Sequence, residues 1–331
     1  MSDSGSGAMP MRGWLAFYGE ATISSHRQRG YKVVRLERIV SKLCDFADRE
    51  FPHERTITKE LSDAWLSSAG PDVPVSTVYS MAVAVAKVAE EMIKHGVWAH
   101  VTKDRPRRVK SCEPTLFDDE ELKAFLGSVD GRKSMRGNPN CRYLPLVEPV
   151  LYRLLYSSGM RSGEAASLGR DDVDLSVGRI RILNAKGNRD RTIYVSDSML
   201  ALLRSYDERM EGLEPGRRCF FQPGPGRACM TSKQVSALFK NSLRRCGLAG
   251  SHAKDPTPHS LRHLFACKSI AKARKEGKNP DSWVKYLSVY MGHESVSETA
   301  YYLHIVSANM PDMRGLLSDF MSGMGGQDEE D

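Results

Sequence analysis

The sequence predicts a mainly α-helical protein with one small antiparallel β-sheet, arranged as an N-terminal all-α bundle and a larger α+β domain. Three observations carry this. Apolar residues recur at helical spacing through residues 13–102. Ile180 and Ile182, then Ile193 and Val195, alternate instead on either side of NAKGNRDR, the pattern of a hairpin. At 331 residues the chain also exceeds a comfortable single core, so two domains are expected.

Taken in order, residues 1–12 are rich in Ser and Gly and are expected to be disordered. Leu36, Ile39, Val40, Leu43 and Phe46 form one helical stripe, and Val78, Met81, Val85, Val88 and Met92 form a second that Gly96 closes. A shorter helix from about Thr58 brings Leu61, Trp65 and Leu66 to the same core. Residues 103–114 then lose periodicity, contain two prolines and concentrate Lys103, Arg105, Arg107, Arg108 and Lys110. That composition is expected of a basic linker between domains.

Beyond it, Asp118 can cap a helix holding Leu122, Phe125 and Leu126. The next helix runs through Val147, Leu151, Leu154 and Leu155 to Gly159, a natural left-handed C-terminal position, so Arg161 emerges from a tight turn. Lys186 falls at the hairpin tip, with Arg189 and Arg191 beside it. Helices are expected near residues 197–210, 232–246, 259–275, 281–290, 295–304 and 311–322, the last with a stripe of Met313, Leu316, Leu317, Phe320 and Met321. Residues 323–331 read as a disordered acidic tail.

A net charge of +7 and a pI near 9.0 suggest a polyanionic partner. No run of 18 apolar residues and no secretory leader are evident, so a cytoplasmic protein with no membrane contact is expected. The seven cysteines (44, 112, 141, 219, 229, 246 and 267) are odd in number and lack zinc spacing. They read as reduced thiols, Cys44 and Cys267 as helix-packing residues, and no metal site or cofactor is expected.

One set of residues carries chemistry. A phosphodiester resists attack because its charge repels nucleophiles and its alkoxide leaves poorly, so cleavage needs charge neutralisation and a proton donor. Arg161 and Arg262 supply planar guanidinium donors that grip two phosphate oxygens and stay charged. Glu164, three residues after Arg161, can pair with it. His259 shares a helix face with Arg262, and Pro256 and Pro258 place both near the positive end of a helix. His263 points about 100° away from Arg262 and reads as a packing residue or a support to the site residues, outside the catalytic set. Lys186, His293 and the adjacent phenols Tyr301 and Tyr302 complete the set.

In order, Arg161, Lys186, His259-Ser260-Leu261-Arg262, Gly292-His293 and Tyr302 resemble the R…K…HxxR…H…Y series of the tyrosine recombinases, the phage integrase family. The likeness covers roughly residues 115–305, whereas the N-terminal bundle resembles the family's core-binding domain only in helical character and position. The longer, basic stretch with Lys272, Arg274, Lys275 and Lys278 departs from the family's usual short turn.

The resemblance implies catalytic Arg161, Lys186, His259, Arg262, His293 and Tyr302, with Glu164 supporting Arg161. Lys186 would be the general acid and His293 a phosphate ligand. Tyr302 would be the nucleophile, because family spacing puts it nine residues after His293 and two before His304. It further implies a catalytic domain over 115–322 ending in an exchange helix, a double-stranded DNA partner, a homotetramer on two DNA sites and metal- and ATP-independent strand transfer through a 3′-phosphotyrosine. Integration or excision of a mobile element, with room for an accessory DNA-bending or directionality factor, is the expected role. The basic residues 103, 105, 107, 108, 110, 189 and 191 are expected DNA contacts. The alternatives are a type IB topoisomerase-like relaxing enzyme and a catalytically idle DNA-binding regulator.

Overall fold

A computed structural model describes residues 11–31, 33–103, 114–133, 138–183, 190–293 and 295–309. The chain divides into two compact units, residues 1–112 and 113–331.

Helices α1 (Ala16–Gln28), α2 (Val34–Glu50), α3 (Lys59–Ser67) and α4 (Val75–Lys94) build the first unit. The expected stripes face one another: Val40, Leu43 and Phe46 of α2 pack with Leu61 and Trp65 of α3 and with Met81, Val85, Val88 and Met92 of α4. Thr58 starts α3 by accepting a hydrogen bond from Leu61 N at 3.2 Å. Cys44 is fully buried here, and burial pushes its thiol up to about 12, so it behaves as a small apolar residue.

The second unit begins with α5 (Asp119–Asp130), where Asp118 and Glu121 form a reciprocal capping box. It continues through α6 (Leu144–Ser158), the short α7 (Ser162–Ala166), strands β1 (Val173–Asp174), β2 (Arg179–Ile182) and β3 (Arg191–Tyr194), then α8 (Asp197–Leu213), α9 (Ser232–Arg245), α10 (Pro258–Lys275), α11 (Pro280–Met291) and α12 (Val296–Asn309). The sheet is antiparallel in the order β1-β2-β3. Ile180 lies opposite Ile193, and Ile180 and Ile182 point into the core while Arg179 and Arg181 point out. Phe125, Tyr152 and Phe239 meet at the centre with ring centroids 4.5 to 5.5 Å apart, contacts worth about 0.5–1.5 kcal/mol each beyond their buried area.

A second apolar cluster joins α10, α11 and α12 through Cys267, Ile270, Val284, Leu287, Met291, Tyr302 and Leu303. The basic residues Lys272, Arg274 and Lys275 belong to α10 itself, so the connection to α11 is only residues 276–279.

The cysteine expectation is corrected at one pair. Cys219 and Cys229 form a disulfide, ten residues apart in sequence, whereas Cys44, Cys141, Cys246 and Cys267 are free thiols. Zinc and redox spacings could not reveal a bridge across the Gly224–Gly226 loop. Among the described residues no helix is long and apolar enough to cross a membrane.

Candidate active site

Two glycine turns frame the site. α6 ends at Gly159 with φ 62°, and α11 is followed by Gly292 with φ 66°, both in the left-handed region that side chains disfavour. At Gly159 a Cβ would lie 2.4 Å from the Phe265 ring of α10, so the helix contact also requires glycine there.

Arg262 ties the two turns together. It is 1% exposed, and its Nη1 and Nη2 donate to Gly159 O at 2.6 Å and Met291 O at 2.9 Å. Burial, then the nearby Arg161 charge, lowers its pKa to about 10, so it remains a cation at neutral pH. Arg161 sits at the start of α7 and donates from Nη2 to Gly292 O at 2.7 Å, reaching the second turn from the other side.

Glu164 holds that arrangement in place. Its carboxylate accepts from Arg161 Nη1 at 3.0 Å, from the Arg161 backbone at 2.9 Å, and from Arg191 Nη1 and Nη2 at 3.0 and 2.8 Å. Burial alone would raise its pKa, but Arg191 and then Arg161 hold it below the ordinary 4.5. Stability from this pairing is therefore present above the unfolded pKa and lost as pH falls through the lower folded value. Glu164→Gln is expected to destabilise the chain by about 3–5 kcal/mol at neutral pH, because it strands two guanidiniums. Denaturant melts should show the gap closing in acid as the native carboxylate protonates. A gap that is independent of pH would contradict the ion-pair account.

Arg191 corrects an expectation. Expected among the DNA contacts, its side chain is only 9% exposed, with Nε donating to Tyr290 O at 3.0 Å and both Nη atoms on Glu164. It fastens β3 to the Arg161 turn and to α11. Lys103 is exposed, as a surface contact requires. Lys186, Arg189, Arg105, Arg107, Arg108, Lys110, the 311–322 helix and the acidic tail lie outside the described residues.

The three histidines and Tyr302 converge beside the arginines. α10 starts with Pro258 at its first turn and a Thr257/Ser260 capping box, which puts His259 on its first turn. His259 keeps an exposed edge; desolvation of its inner side, then the Arg262 and Arg161 charges, lower its pKa. His293 is 7% exposed, shares a hydrogen bond with Thr299 through Nδ1 at 2.6 Å, and stacks on Tyr302 at 19° and 6.1 Å. Burial, then Arg262 and Arg161, bring its pKa to about 3, so its imidazole is neutral.

Tyr302 is 3% exposed, and burial raises its phenol to about 12 against the opposing pull of Arg262. Its Oη lies 2.9 Å from His263 Nδ1. The sequence leaves His263 in a packing or supporting role, and the structure adds its contact with Tyr302. The 100° offset from Arg262 is real, but α12 packs on that other side of α10 and brings Tyr302 to it. The adjacent Tyr301 has a buried hydroxyl with no hydrogen-bond partner among the described residues.

What this set can do follows from its parts: two anchored guanidiniums for an anion, neutral imidazoles for proton transfer, and one phenol as a nucleophile. Among the described residues no group of three His, Cys, Asp or Glu side chains is placed to hold a metal ion.

Residues 138–308 match the phage integrase family, a span that contains every one of these site groups. A Sinorhizobium fredii protein that bears the name "Putative integrase/recombinase y4rE" is 30% identical over 200 residues, which are 60% of this chain and 62% of that relative, so the match spans less than two thirds of it. Tyrosine recombinase XerC of Mycobacterium tuberculosis is 25% identical over 295 residues, 87% of this chain and 90% of its own. Among solved structures, a lambda integrase fragment dimer bound to a COC' core site has a TM-score of 0.61 at 17% identity, covering 87% of this chain and 93% of its own. XerH recombinase bound to a palindromic difH substrate has a TM-score of 0.60 at 20% identity, covering 80% and 73%. These two show a shared fold. With more than half its length matched, and with the guanidinium, imidazole and phenol groups of that span gathered about one pair of turns, the chain belongs to the phage integrase family, the tyrosine recombinases.

Proposed function

We propose that the chain is a site-specific recombinase or integrase that cuts and rejoins duplex DNA through a 3′-phosphotyrosyl intermediate. The observation that carries this is Arg161 and Arg262, fixed on the same two turns beside the buried phenol of Tyr302.

A scissile phosphate between the guanidiniums would meet donors that Gly159 O, Met291 O, Gly292 O and Glu164 have already aimed, so little reorganisation accompanies the growth of charge. The Tyr302 Oη–P bond forms and the P–O5′ bond breaks. Lys186, carried over from the family resemblance, protonates the departing 5′ oxygen. A 5′-hydroxyl from a second duplex then reverses the step and releases Tyr302. Bond energy stays in the phosphotyrosine, so the reaction calls for neither ATP nor a metal.

Synapsis of two duplexes calls for a homotetramer, with residues 311–322 as the element exchanged between protomers. Arg105, Arg107, Arg108, Lys103, Lys110 and Arg189 would follow phosphates, which position the protein without reading sequence. The relatives named as integrases support a role in moving a mobile element.

The test is a supercoiled plasmid carrying two copies of the DNA ends that flank the encoding gene. Incubation with the chain is expected to yield joined products with exchanged flanks. Relaxed plasmid without joining would assign a topoisomerase activity, and binding without any strand cleavage would assign a regulator.

A further inference from the structure

We infer that His263 is the group that accepts the phenolic proton of Tyr302 during attack, an assignment that rests on the strand-cleavage reading above. Among the described residues, His263 Nδ1 is the nitrogen within hydrogen-bond distance of Tyr302 Oη, at 2.9 Å, with ring centroids 5.4 Å apart. The other two histidines make different contacts. His259 stands at right angles to His263 with ring centroids 4.4 Å apart, and His293 lies nearly parallel to Tyr302 with centroids 6.1 Å apart and its Nδ1 on Thr299.

In the resting site both partners are neutral, and transfer waits on the charge that substrate brings. Tyr302 is held as a neutral phenol, so its proton has to leave as the bond to phosphorus forms. Burial, then His259, Arg262 and His293, keep His263 neutral with a pKa of about 3, so one ring nitrogen carries a lone pair, and in the Nε2–H tautomer that nitrogen is Nδ1, facing the phenol. A phosphodiester anion seated between Arg161 and Arg262 would offset the positive charge that disfavours an imidazolium there. Binding substrate thus turns a resting hydrogen bond into a proton path.

The step balances with Lys186 as the proton donor that the family resemblance implies. The Tyr302 Oη–H proton passes to His263 Nδ1, the Oη–P bond forms, the P–O5′ bond breaks, and the 5′ oxygen takes a proton from Lys186. In the rejoining step each proton returns by the same route.

The assignment is tested by single-turnover cleavage of a nicked suicide duplex, with either native tyrosine or a ring-fluorinated, more acidic tyrosine at position 302. With native tyrosine, His263→Ala is expected to slow adduct formation by about 10²–10⁴-fold; with the fluorinated phenol, which needs less help losing its proton, the loss should shrink to under about tenfold. His263→Asn keeps a polar atom near Oη but cannot take the proton, and it should follow the same pattern in a variant whose fold is checked by DNA binding.

Equal losses with both phenols would make His263 a packing residue and overturn the assignment. So would a His263→Ala rate equal to that of the unaltered chain. No adduct from the unaltered chain would overturn the cleavage reading, and this assignment with it.

Discussion

Tyr302→Phe is expected to form no covalent adduct with a nicked suicide duplex while binding the same DNA as tightly as the unaltered chain. The substitution removes one oxygen and its hydrogen bond to His263, a loss of about 1 kcal/mol in stability. The ring stays packed against Met291, Leu303 and Cys267, and Arg161 and Arg262 keep their anchors on the two turns. Chemistry is lost because the nucleophile is gone; the binding surface is untouched.

The neighbouring residue supplies a sharp control. Tyr301→Phe removes a buried hydroxyl that has no partner among the described residues, so it should leave cleavage intact and stability unchanged or improved. Adduct yield on denaturing gels and anisotropy titrations check both variants. An adduct that survives in Tyr302→Phe and vanishes in Tyr301→Phe would exchange their roles.

Arg262→Lys should cost about 10²–10³-fold in cleavage rate, the loss typical of removing one fixed donor from a developing negative charge. Lysine retains a charge, but a single ammonium cannot span Gly159 O, Met291 O and a phosphate together. Arg262→Ala goes further. It strands two buried carbonyls, each losing a charge-assisted bond worth about 1.5–3 kcal/mol, and it lets the two turns drift apart. Thermal melts and single-turnover rates separate the effects: the lysine variant should fold well and cleave poorly, whereas the alanine variant should lose both. A lysine variant that cleaves at the unaltered rate would remove Arg262 from the phosphate site.

These outcomes depend on features of unequal legibility. The helical stripes of α2 and α4, the Asp118 cap, the Gly159 turn and the hairpin alternation are local patterns, and each appears in the structure where periodicity and turn chemistry put it. Glu164 beside Arg161 was readable for the same reason, since i,i+3 neighbours on a helix meet.

Arg191 was not readable. A hairpin arginine looks like a surface cation until the sheet folds onto α11 and Glu164 comes within 3 Å. The partner of His263 is not legible in the sequence, because the direction of His263 is fixed by α10 alone, while Tyr302 arrives 39 residues later on α12. The Cys219–Cys229 bridge closes a loop, and no spacing rule for metal or redox cysteines covers it. The Arg191 and His263 contacts are long-range, between elements whose docking the linear pattern does not encode, whereas the bridge is local and has no spacing signature.

The most direct test of the account is to identify the amino acid and the DNA end that become joined. The chain would be incubated with an end-labelled nicked duplex, digested with protease and nuclease, and the nucleotide-bearing peptide sequenced by mass spectrometry. A nucleotide joined through a 3′-phosphate to Tyr302, with a free 5′-hydroxyl on the released strand, is the predicted result. Attachment at Tyr301, attachment through a 5′-phosphate, or cleaved DNA with no protein attached would contradict it.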